Sequence, residues 1–447
     1  MNFDSELDAD LRVGSGDTVR DTNGALPDTH DDADESLDDR RHSPTSGWRY
    51  TFSSLANRDF LFLWLGTQFM MSGISMQWIA QGYFVYDLTG SGRILGLVSG
   101  SMAMPVLVLA LFGGAVADRV ERKRLIMAGQ ILLTVVALLV AISITTDTVT
   151  WGHLLVASMM QGALWSFMGP ARYALVPQLV EKERMGNAMA LMAAGISATT
   201  LVMPAVAGVL YARIGPDGVY YVIAVISLLA VVFTSCIRKV SIIGDGTKNA
   251  MMTDIKAGMS HVISNHIVLR LMLIGAAIIL IAMPFQSLAP VLVLDVYNRE
   301  SEALGLMMSA IGLGSLLGSL TIASVGEWRR GQLLILGGLA SGLALLLVSL
   351  VPFYYAAVVV MVPLGLGKGS FFALNQALIM EHTDDRFRGR VMSIFMMNWG
   401  LMPLGVLPAG LAIDWIGAQP TIGIMAVALL MISSVVIATQ RQIWTLR

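Results

Sequence analysis

Gly113-Gly114-Ala115-Val116-Ala117-Asp118-Arg119-Val120-Glu121-Arg122-Lys123-Arg124 is a short charged break between two long apolar stretches, 94–117 and 125–146. Paired glycines allow the preceding helix to approach a neighbour closely. Asp118 can meet Arg122 one turn on, or the positive N-terminus of a helix. The basic cluster would hold the loop on the cytoplasmic face of a membrane, because Lys and Arg resist translocation. Read in this way, the stretch is a clamp at the hinge between two transmembrane helices.

Composition supports a membrane chain. Of 447 residues, 55% are apolar and only 13% charged, with a formal charge of -2. So few charges cannot coat water-soluble domains of this size, which excludes a soluble enzyme. From Phe60 onward the sequence offers twelve apolar stretches, at 60–86, 94–117, 125–146, 151–173, 188–212, 218–237, 267–294, 303–325, 331–351, 354–379, 390–413 and 420–440. Each is long enough to cross a hydrocarbon core of about 30 Å. All are expected to be helices, since lipid offers no partner to open backbone groups.

Basic residues set the orientation. The connections placed inside carry Arg119, Arg122, Lys123 and Arg124; Arg172, Lys182 and Arg184; Arg238, Lys239, Lys248 and Lys256; Arg329 and Arg330; and Arg386, Arg388 and Arg390. Those outside hold Arg93, Arg213 and Arg299. An even number of spans with both termini cytoplasmic satisfies this bias. The expected organisation is an acidic disordered tail (1–57), a six-helix bundle (58–237), a cytoplasmic central loop (238–265), a second six-helix bundle (266–440) and a short tail (441–447). The first 42 residues hold 13 of the 31 acids and few large apolar groups, so they should stay unfolded and cytoplasmic, without a cleavable signal.

The halves echo each other. Pro204-Ala205-Val206-Ala207-Gly208, closing at Ile214-Gly215, is matched by Pro408-Ala409-Gly410, closing at Ile416-Gly417, and Asp87 is matched by Asp295. Parallel repeats of this kind place a substrate site at their interface.

The loop motif resembles the signature of the major facilitator superfamily, a small residue, Asp-Arg and a basic cluster. Further pieces resemble its drug:proton antiporter branch, which includes enterobactin exporters and macrolide efflux proteins: Asn57-Arg58-Asp59-Phe60, Val85-Tyr86-Asp87-Leu88-Thr89-Gly90-Ser91, Pro170-Ala171-Arg172, Asn187-Ala188 and Arg388-Gly389-Arg390-Val391-Met392-Ser393. The resemblance implies an all-α membrane protein with twelve transmembrane helices in two pseudo-symmetric six-helix halves. It also implies that Gly114, Asp118, Arg119 and Arg122 lock one conformation and release it during alternating access. The chain departs from the branch where Ser158 replaces an Arg ahead of Gln161-Gly162, and where Met203-Pro204 and Met168-Gly169 replace two other motif pieces.

In that fold the helices lining the central cavity offer Gln77, Trp78, Gln81, Gln161, Trp165, Gln286, Asn375 and Gln376, with Asn398 and Trp399 from helix eleven. Neutral amides, indoles and abundant Met suit bulky amphiphiles. Lys368 is the one charge placed near the midplane, within Gly365-Leu366-Gly367-Lys368-Gly369-Ser370. It faces water or a polar partner, pairs with an anionic substrate, or titrates, because lipid would not accept it. The phosphate-loop reading of this run fails, since it lies inside a span and lacks Ser or Thr after the Lys. At about 1.5 Å per residue, Asp87 lies roughly 40 Å from Phe60, so Asp87 and Asp295 belong at the outer face as gate residues, proton acceptors or solvated helix ends.

No cofactor or metal is expected: Cys236 is the lone cysteine, and the five-residue spacing of His261 and His266 does not suit one helical face. The expected partners are an amphiphilic small molecule, protons and the bilayer, with no nucleic acid, and the chain is expected to act as a monomer in a bacterial inner membrane. The expected activity is export by alternating access with proton antiport. An uncoupled facilitator or lipid translocator, and a non-transporting sensor whose tail binds a partner, are the alternatives.

Overall fold

The computed structural model describes residues 53–109, 116, 120–181, 184–238, 251–325, 329–384 and 387–439. These form helices: α1 (Arg58–Thr89), α2 (Gly92–Ser101, carried on as a crossing segment to Leu109), α3 (Arg122–Thr145), α4 (Trp151–Leu179), α5 (Met185–Ser235), α6 (Met251–Ser264), α7 (His266–Ala282), α8 (Pro284–Val291), α9 (Ser301–Val325), α10 (Arg330–Leu350), α11 (Tyr354–Glu381), α12 (Arg388–Met397), α13 (Met402–Ile416) and α14 (Ala418–Thr439). Most of the expected N-terminal tail and all of 441–447 lie outside the described residues. The expected central loop contains α6.

Nine helical segments among the described residues are long and apolar enough to cross a membrane. One of them, α5, runs for 51 residues, about twice what a bilayer needs, and turns at Gly215 with φ 74°, a backbone that glycine adopts without strain. Pro216 then opens the returning segment. Helices α1 and α4, of 32 and 29 residues, also have crossing length, and polar residues such as Gln77, Gln81 and Gln161 dilute their hydropathy. Counting α5 twice and adding α1 and α4 gives twelve crossing segments. Outward-facing side chains such as Leu139, Leu350 and Val359 stay largely exposed, as a lipid-facing surface requires.

Two crossings expected to be continuous are broken. The seventh stops at Ala282, restarts at Pro284, which has no N–H to donate, and ends in a π turn at Leu292–Val296. The eleventh passes through a 3-10 turn at Asn398–Leu401 just before Pro403.

The repeat is visible in hydrogen bonds. Asn57 caps α1 by accepting from the Asp59 and Phe60 amides, at 3.0 and 3.2 Å, while its Nδ2 donates to Leu179 O at the end of α4, 2.7 Å away. Asn265 caps α7 through the Ile267 and Val268 amides, at 3.1 and 3.2 Å, and its Nδ2 donates to His382 O beyond α11, at 2.8 Å. In each half an asparagine therefore fixes the start of the first helix to the end of the fourth. The interval from Asn57 to Asn265 equals that from Asp87 to Asp295.

The halves meet through two matched helix pairs. Helix α5 crosses α9 at Gly208 and Gly305, and α2 crosses α13 at Gly96 and Gly410. A Cβ on Gly208 would lie 2.5 Å from Ser301 O, and one on Gly410 would lie 2.5 Å from Gly92 O. Both glycines belong to the repeated Pro-Ala elements, so the echo in the sequence marks two of the places where the halves touch backbone to backbone.

Candidate functional site

The first half buries a chain of neutral amides between α1 and α4. Gln77 and Gln81 are one turn apart, as are Ser158 and Gln161, so each pair shares a helix face. Gln161 Nε2 donates to Gln77 Oε1 at 3.1 Å, and Gln77 Nε2 donates to Gln81 Oε1 at 3.3 Å. Gln81 Nε2 then reaches Leu154 O at 3.1 Å and the Ser158 hydroxyl. All four side chains are buried. The position where the antiporter branch carries an Arg thus holds a hydroxyl that completes a neutral network.

The second half is built differently. Lys368, half-buried on α11, donates from Nζ to Gln286 Oε1 on α8 at 2.8 Å. The pair faces a cavity of about 440 Å³, counted to its open mouth, walled by Ile278, Phe285, Ile311, Leu364, Phe371 and Phe372. The glycines around Lys368 are explained by packing. Cβ atoms at Gly365 and Gly369 would fall 2.0 Å from Ile311 O and 2.3 Å from Ser315 O on α9, and one at Gly367 would fall 2.5 Å from Gly337 O on α10. Helix α11 is therefore locked between α9 and α10, and Lys368 is carried on a rigid support. Phe372 stacks on Trp399 at 5.8 Å, which ties the cavity wall to the broken eleventh crossing.

Further along α11, Asn375 is fully buried, and neither its Oδ1 nor its Nδ2 has a hydrogen-bond partner. Its amide lies against Gly275 on α7, near Asn398, whose Nδ2 donates to Met272 O at 3.4 Å. Gln376, one residue on, is exposed, as is Trp78 at 42%. Trp165 stands half-buried below Arg172, whose guanidinium lies 5.5 Å from its ring centre and 5.1 Å from that of Tyr173. Arg172 is only 3% exposed, and its Nε and Nη1 have no hydrogen-bond partner.

The end of the molecule that carries Asp87, Asp295 and Asp414 is clasped. Tyr86 OH on α1 donates to Asp295 Oδ2 in the π turn at 2.5 Å. Asp414 on α13 caps the start of α2, accepting from the Gly92 and Arg93 amides at 2.6 and 3.1 Å and from Ser91 Oγ at 3.0 Å. Ser301 Oγ adds a bond to Gly208 O at 3.0 Å. Asp87 is exposed, within electrostatic reach of Tyr83 and Tyr211.

At the opposite, basic end, Arg122 Nη1 donates to Ala174 O at 2.9 Å, joining α3 to α4. Gly114, Asp118 and Arg119 lie outside the described residues. The amides named from the sequence thus divide into one network in each half, and the hydrogen bonds seen among the described residues do not join the two. Sequence reasoning missed Tyr86, Asp414, Arg172 and Ser158 as members of these clusters. Ser91 just after Thr89-Gly90 was a readable helix cap, but its cross-half partner was not.

Comparison with known proteins agrees with this architecture. Macrolide efflux protein A of Streptococcus pyogenes is 23% identical over 368 residues, covering 80% of this chain and 90% of that protein. The staphyloferrin A transporter of Staphylococcus aureus is 25% identical over 371 residues, covering 80% and 91%. A crystal structure of the nucleoside transporter NupG superposes with a TM-score of 0.71 at 13% identity, over 85% of this chain and 99% of that one, and so shares the fold. The sequence model described as Major Facilitator Superfamily matches residues 63–404 and 271–442. With that match spanning most of its length, the chain belongs to the Major Facilitator Superfamily and is a multi-pass membrane transporter.

Proposed function

We propose that the chain exports an amphiphilic organic compound across a bacterial plasma membrane by alternating access, in exchange for protons. The observation that carries this reading is the clasp at the acidic end, where donors on α1 and α2 hold the Asp295 and Asp414 carboxylates of the other half. With both termini cytoplasmic, this clasp is the outer gate. The glycine crossings α5–α9 and α2–α13 supply the pivots: small residues leave two backbones in contact with no interlocked side chains to break. Gly114, Asp118, Arg119 and Arg122 form the corresponding inner latch. Rocking the halves then opens one end as the other closes. The efflux protein and siderophore transporter among the relatives support the outward direction.

Proton coupling is assigned to the outer-gate carboxylates Asp295 and Asp87, with Asp118 at the inner face. A competing reading, uncoupled facilitation, draws support from the absence of a carboxylate deep within a crossing among the described residues. Purified protein in liposomes under an inward proton gradient separates them. Accumulation of a fluorescent amphiphile that ends when the gradient is collapsed supports antiport. Movement that ignores the gradient supports the facilitator, and no saturable movement of any amphiphile in a broad panel removes the export reading.

A further inference from the structure

Two cations carried on the crossing helices lack a negative partner. Among the described residues Arg172 in the first half is buried, and Lys368 in the second is half-buried on α11. Neither is paired with a carboxylate. Lys368 meets a neutral amide oxygen at 2.8 Å, and Arg172 rests against two aromatic rings with two of its nitrogens unbonded. The Asp295 and Asp414 carboxylates are engaged by Tyr86 and by the amides at the start of α2.

An ammonium has three protons to donate, and Gln286 takes one. The remaining wall of its cavity is apolar apart from Ser341, whose hydroxyl donates to Gly337 O at 2.9 Å and takes no bond from Lys368. A half-buried cation in such surroundings is well met by an anion that also hydrogen-bonds to it, because a charge-assisted bond is stronger than one to a neutral amide. The cavity opens at its mouth, and its phenyl and branched aliphatic walls suit the hydrocarbon part of a ligand next to the ammonium. Helix α11, held backbone to backbone by α9 and α10, fixes the ammonium in place.

We infer that Lys368, with Gln286, is an anion subsite inside the second half, and that the transported compound is an amphiphile bearing a carboxylate or similar acidic group. Its anionic head meets Lys368 Nζ and its apolar body lies against Phe285, Phe371 and Phe372. Arg172 adds a second favourable charge to the interior field that an anion crosses. This deepens the export reading by naming the substrate class, and rests on it only for the direction of movement.

The test is equilibrium binding of three dansyl-labelled probes sharing one alkyl chain, a carboxylate, its methyl ester and a quaternary ammonium, to full-length protein in zwitterionic nanodiscs. The carboxylate should bind roughly ten-fold or more tightly than the ester, the increment of one hydrogen bond to a charged group. Lys368→Gln should equalise the two, and Lys368→Arg should keep the preference. Mass spectrometry gives a readout on the unmodified protein: the carboxylate should shield Lys368 from a small acylating reagent while the ester does not. Equal binding of acid and ester, a preference that survives Lys368→Gln, tighter binding of the ammonium probe, or no shielding of Lys368 across a series of chain lengths would overturn the subsite. Binding with no flux in liposomes would remove export and leave the subsite, whereas gradient-driven flux without acid preference would do the reverse.

Discussion

The two halves place polar groups at similar depths on corresponding helices and use them in opposite ways. Between α1 and α4, Gln77, Gln81, Ser158 and Gln161 bond to one another and to Leu154 O, so this cluster is neutral and largely self-satisfied. Between α8 and α11, Lys368 has one neutral acceptor, and further along α11 Asn375, against α7, has none. An unmet buried polar group costs about 1–3 kcal/mol, so a ligand that supplies a partner to Lys368 or Asn375 gains a similar amount. On the proposed reading the first cluster is structural and the second meets the ligand, although the repeat gave both the same backbone frame.

Substitutions can break or sharpen that contrast. The largest effect is expected where the halves touch. Gly208→Leu would drive a side chain into Ser301 O and Gly305, and the resulting shift of roughly an ångström at the pivot should lower liposome flux about 100-fold. Retained flux would show that the α5–α9 crossing does not act as a pivot. Next, Gln286→Leu strips Lys368 of its acceptor and should reduce flux about ten-fold, since a hydrogen bond to a charged group is worth roughly 1.5–3 kcal/mol. Unchanged flux would separate Lys368 from transport.

In the other cluster, Gln81→Leu strands Gln77 and Ser158 and should cost about 1–3 kcal/mol of stability. Thermal unfolding in detergent measures that loss, and a fall in carboxylate affinity at unchanged stability would reverse the assignment of roles. The smallest effect belongs to Asp414→Asn, which keeps an acceptor and removes the charge at the start of α2. A carboxylate at an exposed helix N-terminus contributes about 0.3–1 kcal/mol, so the closed-to-open ratio should fall by a factor of roughly two to five. Spin-label distances between the acidic ends of α2 and α13 report the shift.

Much of the fold was legible because lipid removes alternatives. Apolar length gave the crossings, and the expected gap at 213–217 falls on Gly215, where α5 turns. The Pro-Ala echo led to the glycines that join the halves. The breaks at Pro284 and Asn398 were not legible, since hydropathy is blind to which amide loses its partner. The site was legible in type more than in arrangement. Gln77, Gln81, Gln161, Gln286 and Lys368 could be named as cavity candidates, but whether an amide satisfies a neighbour or faces a cavity depends on the rotation of α1 against α4. Asp87 and Asp295 look equivalent in sequence and both are exposed, yet the π turn brings Asp295 alone onto the Tyr86 hydroxyl. The glycines beside Lys368 suggest a phosphate loop only until the carbonyls of Ile311, Ser315 and Gly337 are found against them.

The most direct test of the division of labour compares Lys368→Met with Gln161→Leu in one experiment, measuring unfolding temperature and saturable binding of the dansyl carboxylate for each. Lys368→Met replaces an unpaired cation with an apolar chain of similar length, and should abolish acid-selective binding while leaving the unfolding temperature unchanged or higher. Gln161→Leu should lower the unfolding temperature and leave that binding intact. The opposite pattern, with affinity lost in the glutamine variant and stability lost in the lysine variant, would contradict the account.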